Sequence, residues 1–176
     1  KPVEELAQDA TAMKVAGRLY ANNCAACHGA DARGAKGFPN LTDDDWLYGG
    51  EPAQLIETLT NGRNAVVGGL KMPAWGETLG EQGIKEVAAY VLTLSDRKLS
   101  EADAKLAEAG QARFVVCAAC HGAEGKGNQA LGAPNLTDTI WLYGGSKATI
   151  EETLRKGRNG AMPAWGESLG KENVHL

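Results

Sequence analysis

Cys24-Ala25-Ala26-Cys27-His28 and Cys117-Ala118-Ala119-Cys120-His121 together use all four cysteines of the chain and two of its three histidines. On a helical turn, side chains three and four residues apart share a face. Two thiols and an imidazole so spaced converge on one flat ligand. The thiols reach the two vinyl groups of a porphyrin and the histidine reaches its iron, which is the attachment signature of c-type haem, written twice. Other uses of these residues fit less well. A zinc site built from two Cys pairs spaces them about 15–20 residues apart, whereas Cys27 and Cys117 are separated by the length of a small domain. A thioredoxin-like redox pair needs one such motif opening a helix in a βαβ pattern, and no β-rich run precedes either motif. Disulfides alone would leave the histidines and the duplication without a reason.

Outward from the motifs the two halves stay in step. Phe38-Pro39-Asn40-Leu41-Thr42-Asp43-Asp44-Asp45-Trp46-Leu47-Tyr48-Gly49-Gly50 recurs as Ala133-Pro134-Asn135-Leu136-Thr137-Asp138-Thr139-Ile140-Trp141-Leu142-Tyr143-Gly144-Gly145. Gly62-Arg63-Asn64 recurs as Gly157-Arg158-Asn159, and Met72-Pro73-Ala74-Trp75-Gly76-Glu77 as Met162-Pro163-Ala164-Trp165-Gly166-Glu167. The chain of 176 residues therefore reads as a tandem duplication. The expected boundary lies near Asp96-Arg97-Lys98, giving one domain over 1–97 and a second over 98–176. Each half is small enough for a hydrophobic core alone to be marginal, and a covalent haem supplies the apolar surface that such a core lacks. The Gly-rich stretches Gly29 to Gly37 and Gly122 to Gly132 are expected to wrap the porphyrin edge. Neither follows a strand or ends in Gly-Lys-Ser/Thr, so neither reads as a phosphate loop.

The secondary structure reads as all-α. Ile84, Val87, Ala88, Val91 and Leu94 form an amphipathic stripe, so residues 82 to 95 are expected to be a helix closing the first domain. Ser100 with Asp103 suggests a capping box for a helix leading to the second motif. A further helix is expected from Pro52 to Asn61-Gly62, with residues 146 to 156 as its counterpart. Lys171 to Leu176 match only the start of the helix at 82–95. The closing helix of the second half is thus expected beyond Leu176, its absence exposing one side of that core.

No apolar run approaches the roughly 20 residues needed to span a bilayer, and no signal peptide precedes Lys1. A net charge of −4 and a pI near 5.4 argue against nucleic acid as a partner. They suit docking to a basic partner by electrostatic steering.

What fills the open face of a His-ligated iron separates catalysis from electron transfer. Met72 and Met162 occupy matching Pro-stiffened loops downstream of His28 and His121. The pairings His28/Met72 and His121/Met162 are expected, giving two six-coordinate haems without a free site for oxygen or peroxide, and hence outer-sphere transfer of single electrons. Thioether ligation stabilises ferrous iron and raises the potential. Met13 has no counterpart and reads as helix packing, and His175 as a solvent-exposed residue at a frayed end. The carbonyls of Pro39 and Pro134 are candidate acceptors for the second ring N–H of each histidine, fixing its tautomer. Arg63 and Arg158, or Trp46, Tyr48, Trp141 and Tyr143, are candidate partners for the propionates. The alternative is that the aromatics only pack on the porphyrin.

Taken together, Cys-x-x-Cys-His-Gly, Pro-Asn-Leu-Thr-Asp-x-x-Trp-Leu-Tyr-Gly-Gly, Gly-Arg-Asn and Met-Pro-Ala-Trp, in both halves, resemble the dihaem subunit of cbb3-type cytochrome c oxidase, its subunit III. The resemblance implies two tandem class I cytochrome c domains on the periplasmic side of the bacterial inner membrane. It implies a membrane anchor upstream of Lys1 that this chain lacks, and two haem c groups held by Cys24, Cys27, Cys117 and Cys120 with His28, Met72, His121 and Met162 as axial ligands. It also implies a relay of electrons from a small periplasmic donor, such as a soluble cytochrome, to the haem-copper catalytic subunit alongside a monohaem subunit. A free dihaem cytochrome of the cytochrome c-four type, the cytochrome subunit of a periplasmic dehydrogenase, and a dihaem peroxidase or gas sensor are the alternatives. Two asymmetries stand out. Ala65 to Lys71 is five residues longer than its counterpart Gly160-Ala161, and Tyr20 lies four residues before its cysteine where Phe114 lies three.

Overall fold

A computed structural model describes residues 1–65 and 69–176. Among the described residues the chain is helical, and its only β-type pairings are isolated bridges. The helices are α1 (Val3–Leu6), α2 (Ala10–Asn23), α3 (Ala25–His28), α4 (Pro52–Asn61), α5 (Gly76–Thr93), α6 (Glu101–Arg113), α7 (Val115–His121), α8 (Lys147–Lys156) and α9 (Gly166–His175). Local chemistry explains their starts. Asp9 caps α2 by accepting from the Thr11 and Ala12 N–H groups, and Ser146 caps α8 by accepting from Thr149 N–H. Pro52 opens α4 behind a reciprocal Glu51/Gln54 capping box. Ser100 accepts from Asp103 N–H at 3.1 Å at the head of α6, while the Asp103 carboxylate is bound by Lys147.

The compact units do not follow the sequence repeat. One unit joins Lys1–Gly69 to Gly160–Leu176, and the other is Leu70–Asn159. Residues 96–98 therefore lie inside the second unit and not at a boundary between domains over 1–97 and 98–176. Each repeat contributes its Met-Pro segment and the helix after it to the unit built on the other repeat's haem motif.

In unit 2 the apolar stripe of α5 explains the exchange. Ile84, Val87, Ala88, Val91 and Leu92 meet Phe114, Cys117, Ile150 and Leu154 in one buried cluster. The helix expected to close the first domain instead packs on α6 and α8. It begins earlier than its stripe suggests, at Gly76, with a break at Gly80 (φ 64°, ψ 170°). Its contact with α6 is close enough that a Cβ on Gly110 would lie 2.0 Å from the Glu86 carbonyl oxygen. Arg113 and Gln82 bind the Glu86 carboxylate there, and Tyr90 meets Phe114 with ring centroids 5.2 Å apart. Unit 2 thus has a closing helix for its core, supplied by α5.

In unit 1, α9 packs on α4, and the only buried apolar side chain α9 provides is Val174. His175 is half-buried rather than frayed, its Nε2 lying 2.7 Å from the Lys1 carbonyl oxygen. Met13 is 50% exposed, so it is not a packing residue. The shifted aromatics also have a structural outcome. Tyr20 donates to the Gly29 carbonyl at 2.6 Å, whereas Phe114 is buried and marks the break between α6 and α7.

Candidate functional site

Both histidines end a short helix and are buried, His28 at 8% and His121 at 7% exposure. The chain then leaves through Gly29 and Gly122. It folds back so that the Gly34 and Gly127 N–H groups donate to the His28 and His121 carbonyls at 2.8 and 2.7 Å. A Cβ on Gly34 would lie 2.3 Å from the Phe38 carbonyl oxygen, and one on Gly127 2.6 Å from that of Ala133. Only glycine lets the Pro-Asn segment come this close. Asn40 and Asn135 stiffen the segment by accepting from both the N–H and the hydroxyl of Thr42 and Thr137, at 2.7–2.8 Å.

The result is the same in each unit: His28 Nδ1 lies 3.0 Å from the Pro39 carbonyl oxygen and His121 Nδ1 lies 3.0 Å from that of Pro134. A carbonyl is only an acceptor, so Nδ1 carries the proton and Nε2 keeps its lone pair for a metal. Burial holds the His121 imidazole below its ordinary pKa, with the Pro134 carbonyl opposing, which favours the neutral ligating form. Cys24 is half-buried and Cys117 buried, and burial pushes both thiols up, while Cys27 and Cys120 are exposed. The two cysteine pairs belong to different units.

The methionines differ from the expected arrangement. Met162 belongs to the unit of His28, and Met72 to the unit of His121. The Gly-Arg-Asn turn receives them. Arg63 N–H donates to the Met162 carbonyl at 3.0 Å and Met162 N–H returns to Arg63 at 2.8 Å, while Arg158 N–H donates to the Met72 carbonyl at 3.0 Å. Trp165 N–H then reaches the Leu59 carbonyl, and Trp75 N–H that of Leu154, each at 2.8 Å. Gly62 and Gly157 sit at φ 69° and 72°, and an added Cβ would lie 2.4 and 2.5 Å from the Met162 and Met72 carbonyl oxygens. The expected partners His28/Met72 and His121/Met162 therefore fall in different units, and each unit holds one histidine with the methionine of the other repeat. Of the longer methionine loop at 65–71, residues 66–68 lie outside the described residues.

The candidate propionate partners are brought together in pairs. Arg63 lies over the Tyr48 ring at 4.3 Å and Arg158 over that of Tyr143 at 4.4 Å. Thr58 and Thr153 accept from the two guanidinium Nε groups at 2.9 and 3.0 Å. These threonines were not singled out from sequence, although Thr-x-x-x-Gly-Arg recurs in both halves and is the signal for them. Trp46 and Trp141 stack against Gly50 and Gly145, where an added Cβ would lie 2.5 Å from either indole. Trp141 Nε1 and Arg158 Nη2 are buried with no hydrogen-bond partner within the protein. Such donors cost about 1–3 kcal/mol each unless an acceptor meets them. With the Ser95 hydroxyl, also buried without a partner, they lie in the unit that holds Cys117, Cys120 and His121, and the indole and guanidinium donors suit the carboxylates of a haem. Among the described residues no helix is long and apolar enough to cross a membrane.

The family model for cytochrome c oxidase, cbb3-type, subunit III, matches residues 11–91 and 104–175, one region in each repeat. The cbb3-type cytochrome c oxidase subunit CcoP of Rubrivivax gelatinosus is 49% identical over 177 residues, covering 100% of this chain and 56% of its own length. The subunit FixP of Azorhizobium caulinodans is 47% identical over 181 residues, covering 98% of this chain and 61% of its own. FixP of Bradyrhizobium diazoefficiens is 48% identical over 162 residues, covering 89% and 55%. The chain thus spans rather more than half the length of these relatives, and it belongs to the subunit III family of cbb3-type cytochrome c oxidases.

Proposed function

We propose that the chain is a dihaem c-type cytochrome that relays single electrons from a small periplasmic donor to the haem-copper catalytic subunit of a cbb3-type oxidase, on the periplasmic side of the membrane. On its own it is an electron carrier and not a catalyst. The observation that carries this reading is the repeated constellation of Cys-x-x-Cys-His with a buried histidine whose Nδ1 faces a proline carbonyl. Haem c, when bound, supplies a one-electron ferric/ferrous couple. The protein's own residues do the rest. Cys24 and Cys27, and Cys117 and Cys120, hold the two groups covalently. His28 and His121 offer Nε2 from a fixed tautomer, and the thioethers of Met162 and Met72 would serve as the second ligands of the bound groups, leaving no site free for oxygen. Arg63, Arg158, Trp141 and the tyrosines beneath the two arginines balance the carboxylates.

Ligation is tested in full-length protein carrying Cys24→Ala and Cys27→Ala, which keeps one haem. Near-infrared magnetic circular dichroism of its oxidised form is expected to show methionine ligation that Met72→Ala abolishes and Met162→Ala leaves. The opposite result restores the pairing by sequence repeat, and no methionine signal in either parent or variant removes the relay. Relay itself is read by mixing the reduced chain with an oxidase core lacking this subunit. Both haems are expected to oxidise with oxygen uptake, and failure to oxidise sinks the assignment.

A further inference from the structure

The two units place unequal charge around equivalent sites. Unit 1 holds eleven carboxylate side chains against seven lysines and arginines, and unit 2 holds eleven of each, so the net charge of −4 lies entirely in unit 1. The imbalance reaches the sites themselves. Asp43-Asp44-Asp45 leads into Trp46, where Asp138-Thr139-Ile140 leads into Trp141. Asn22 and Asn23 precede Cys24, where Val115 and Val116 precede Cys117.

Unit 2 also has a cation that the repeat does not supply. After α5 the chain turns through Asp96 in the left-handed region (φ 54°). Arg97 is thereby set with its guanidinium 5.4 Å from the centroid of the Trp141 ring, and it donates to the Gly145 carbonyl. A Cβ on Gly145 would lie 2.5 Å from the indole and 2.7 Å from Arg97 Nη2, so glycine leaves the room in which arginine and indole meet. In unit 1 the stretch ahead of the matching helix carries Glu4, Glu5 and Asp9 and no arginine, and its Lys1 is bound to Asp9 at 3.1 Å. The indole beneath Arg97 is the one whose buried Nε1 has no partner, and Arg158 Nη2 is a further buried donor without one in the same unit.

We propose that Arg97 is a positioning residue at the carboxylate end of the unit 2 haem, and that with the charge difference between the units it makes this haem the higher in potential and the first to be reduced. The inference rests on the haem reading above. In the step concerned one electron passes from a chemical reductant to ferric iron, and no covalent bond forms or breaks. A nearby cation stabilises the added electron and carboxylates oppose it. Arg97 and the aspartates of unit 1 act in the same direction, raising the unit 2 centre relative to that of unit 1.

The test is spectroelectrochemical titration of the haem-loaded full chain, the centres being assigned with the single-haem variant. The unit 2 centre is expected to lie above the unit 1 centre. Arg97→Gln is expected to cut its ferrous-to-ferric ratio at fixed ambient potential about three- to tenfold, on the order of 30–60 mV for a one-electron couple, and to leave unit 1 unchanged. Arg97→Lys, which keeps the charge, is expected to retain most of the parent value. A unit 2 centre at or below that of unit 1 overturns the ordering. An Arg97→Gln protein in which neither centre moves, or both move equally, overturns the role of Arg97, as does an Arg97→Lys protein that falls as far as Arg97→Gln. Protein that takes up no haem overturns the inference and the haem reading together, and is recognised by its lack of a haem spectrum.

Discussion

Gly157→Ala isolates the device that brings Met72 to its unit. Gly157 ends α8 at φ 72° and ψ −178°. That region is essentially reserved to glycine and costs another residue about 1–3 kcal/mol. The new Cβ would stand 2.5 Å from the Met72 carbonyl oxygen and 2.9 Å from Ala74 N. Both are backbone atoms, so the Met72-Pro73-Ala74 segment has to retreat. Retreat lengthens the 3.0 Å bond from Arg158 N–H to the Met72 carbonyl, a loss of about 1 kcal/mol net. The two effects together lower the unfolding free energy by about 2–4 kcal/mol. Guanidinium chloride unfolding measures the loss, and near-infrared magnetic circular dichroism shows where it falls. The methionine signal of the haem at Cys117 and Cys120 is expected to weaken while that of the haem at Cys24 and Cys27 persists. Gly17→Ala is the control. Gly17 is exposed in α2 with nothing within 4 Å of an added Cβ, and alanine there is expected to stabilise by about 0.5–1 kcal/mol. A Gly157→Ala protein as stable as its parent with both methionine signals intact refutes the steric argument. A loss confined to the haem at Cys24 and Cys27 refutes the exchange of methionines.

Gly110→Ala tests the close approach of α5 and α6 by packing alone, since the added methyl meets the Glu86 carbonyl at 2.0 Å. A loss of about 3 kcal/mol or more is expected by denaturant titration, and a neutral variant would mean that the helices separate freely. Glu86 gives a pH signature. Gln82 and Arg113 hold its carboxyl below the ordinary value of 4.5, so its contribution is present above that value and is lost as the pH falls through the lowered one. Glu86→Gln is therefore expected to cost stability at neutral pH and to converge on the parent as the pH falls below 4.5, and parallel pH profiles would contradict this. Met162→His, replacing thioether by imidazole, is expected to lower the potential of the haem at Cys24 and Cys27 only, and redox titration of the two centres checks it.

Much of the fold was legible because its signals are local. The Pro52 start of α4 and the stripe of α5 each depend on residues within a few positions of one another; α4 starts at Pro52, and α5 carries its stripe although it begins earlier, at Gly76. The proline carbonyl opposite each histidine was legible for the same reason, since Gly34 and Gly127 fold the chain back within one loop. Arg97 was not legible, because its meeting with Trp141 joins positions 44 residues apart that no repeat marks.

The sequence by itself determined that there are two Cys-x-x-Cys-His sites, two receiving turns and two methionine segments. It could not determine which segment closes which site, because Gly62-Arg63-Asn64 and Gly157-Arg158-Asn159 offer the same backbone donors and the same glycine gap to either Met-Pro-Ala-Trp. Tertiary packing sorts the segments into units: the apolar face of α5 is buried against Phe114, Ile150 and Leu154, and in following α5 the Met72 segment lies in the unit of His121, while Met162 and α9 lie in the unit of His28.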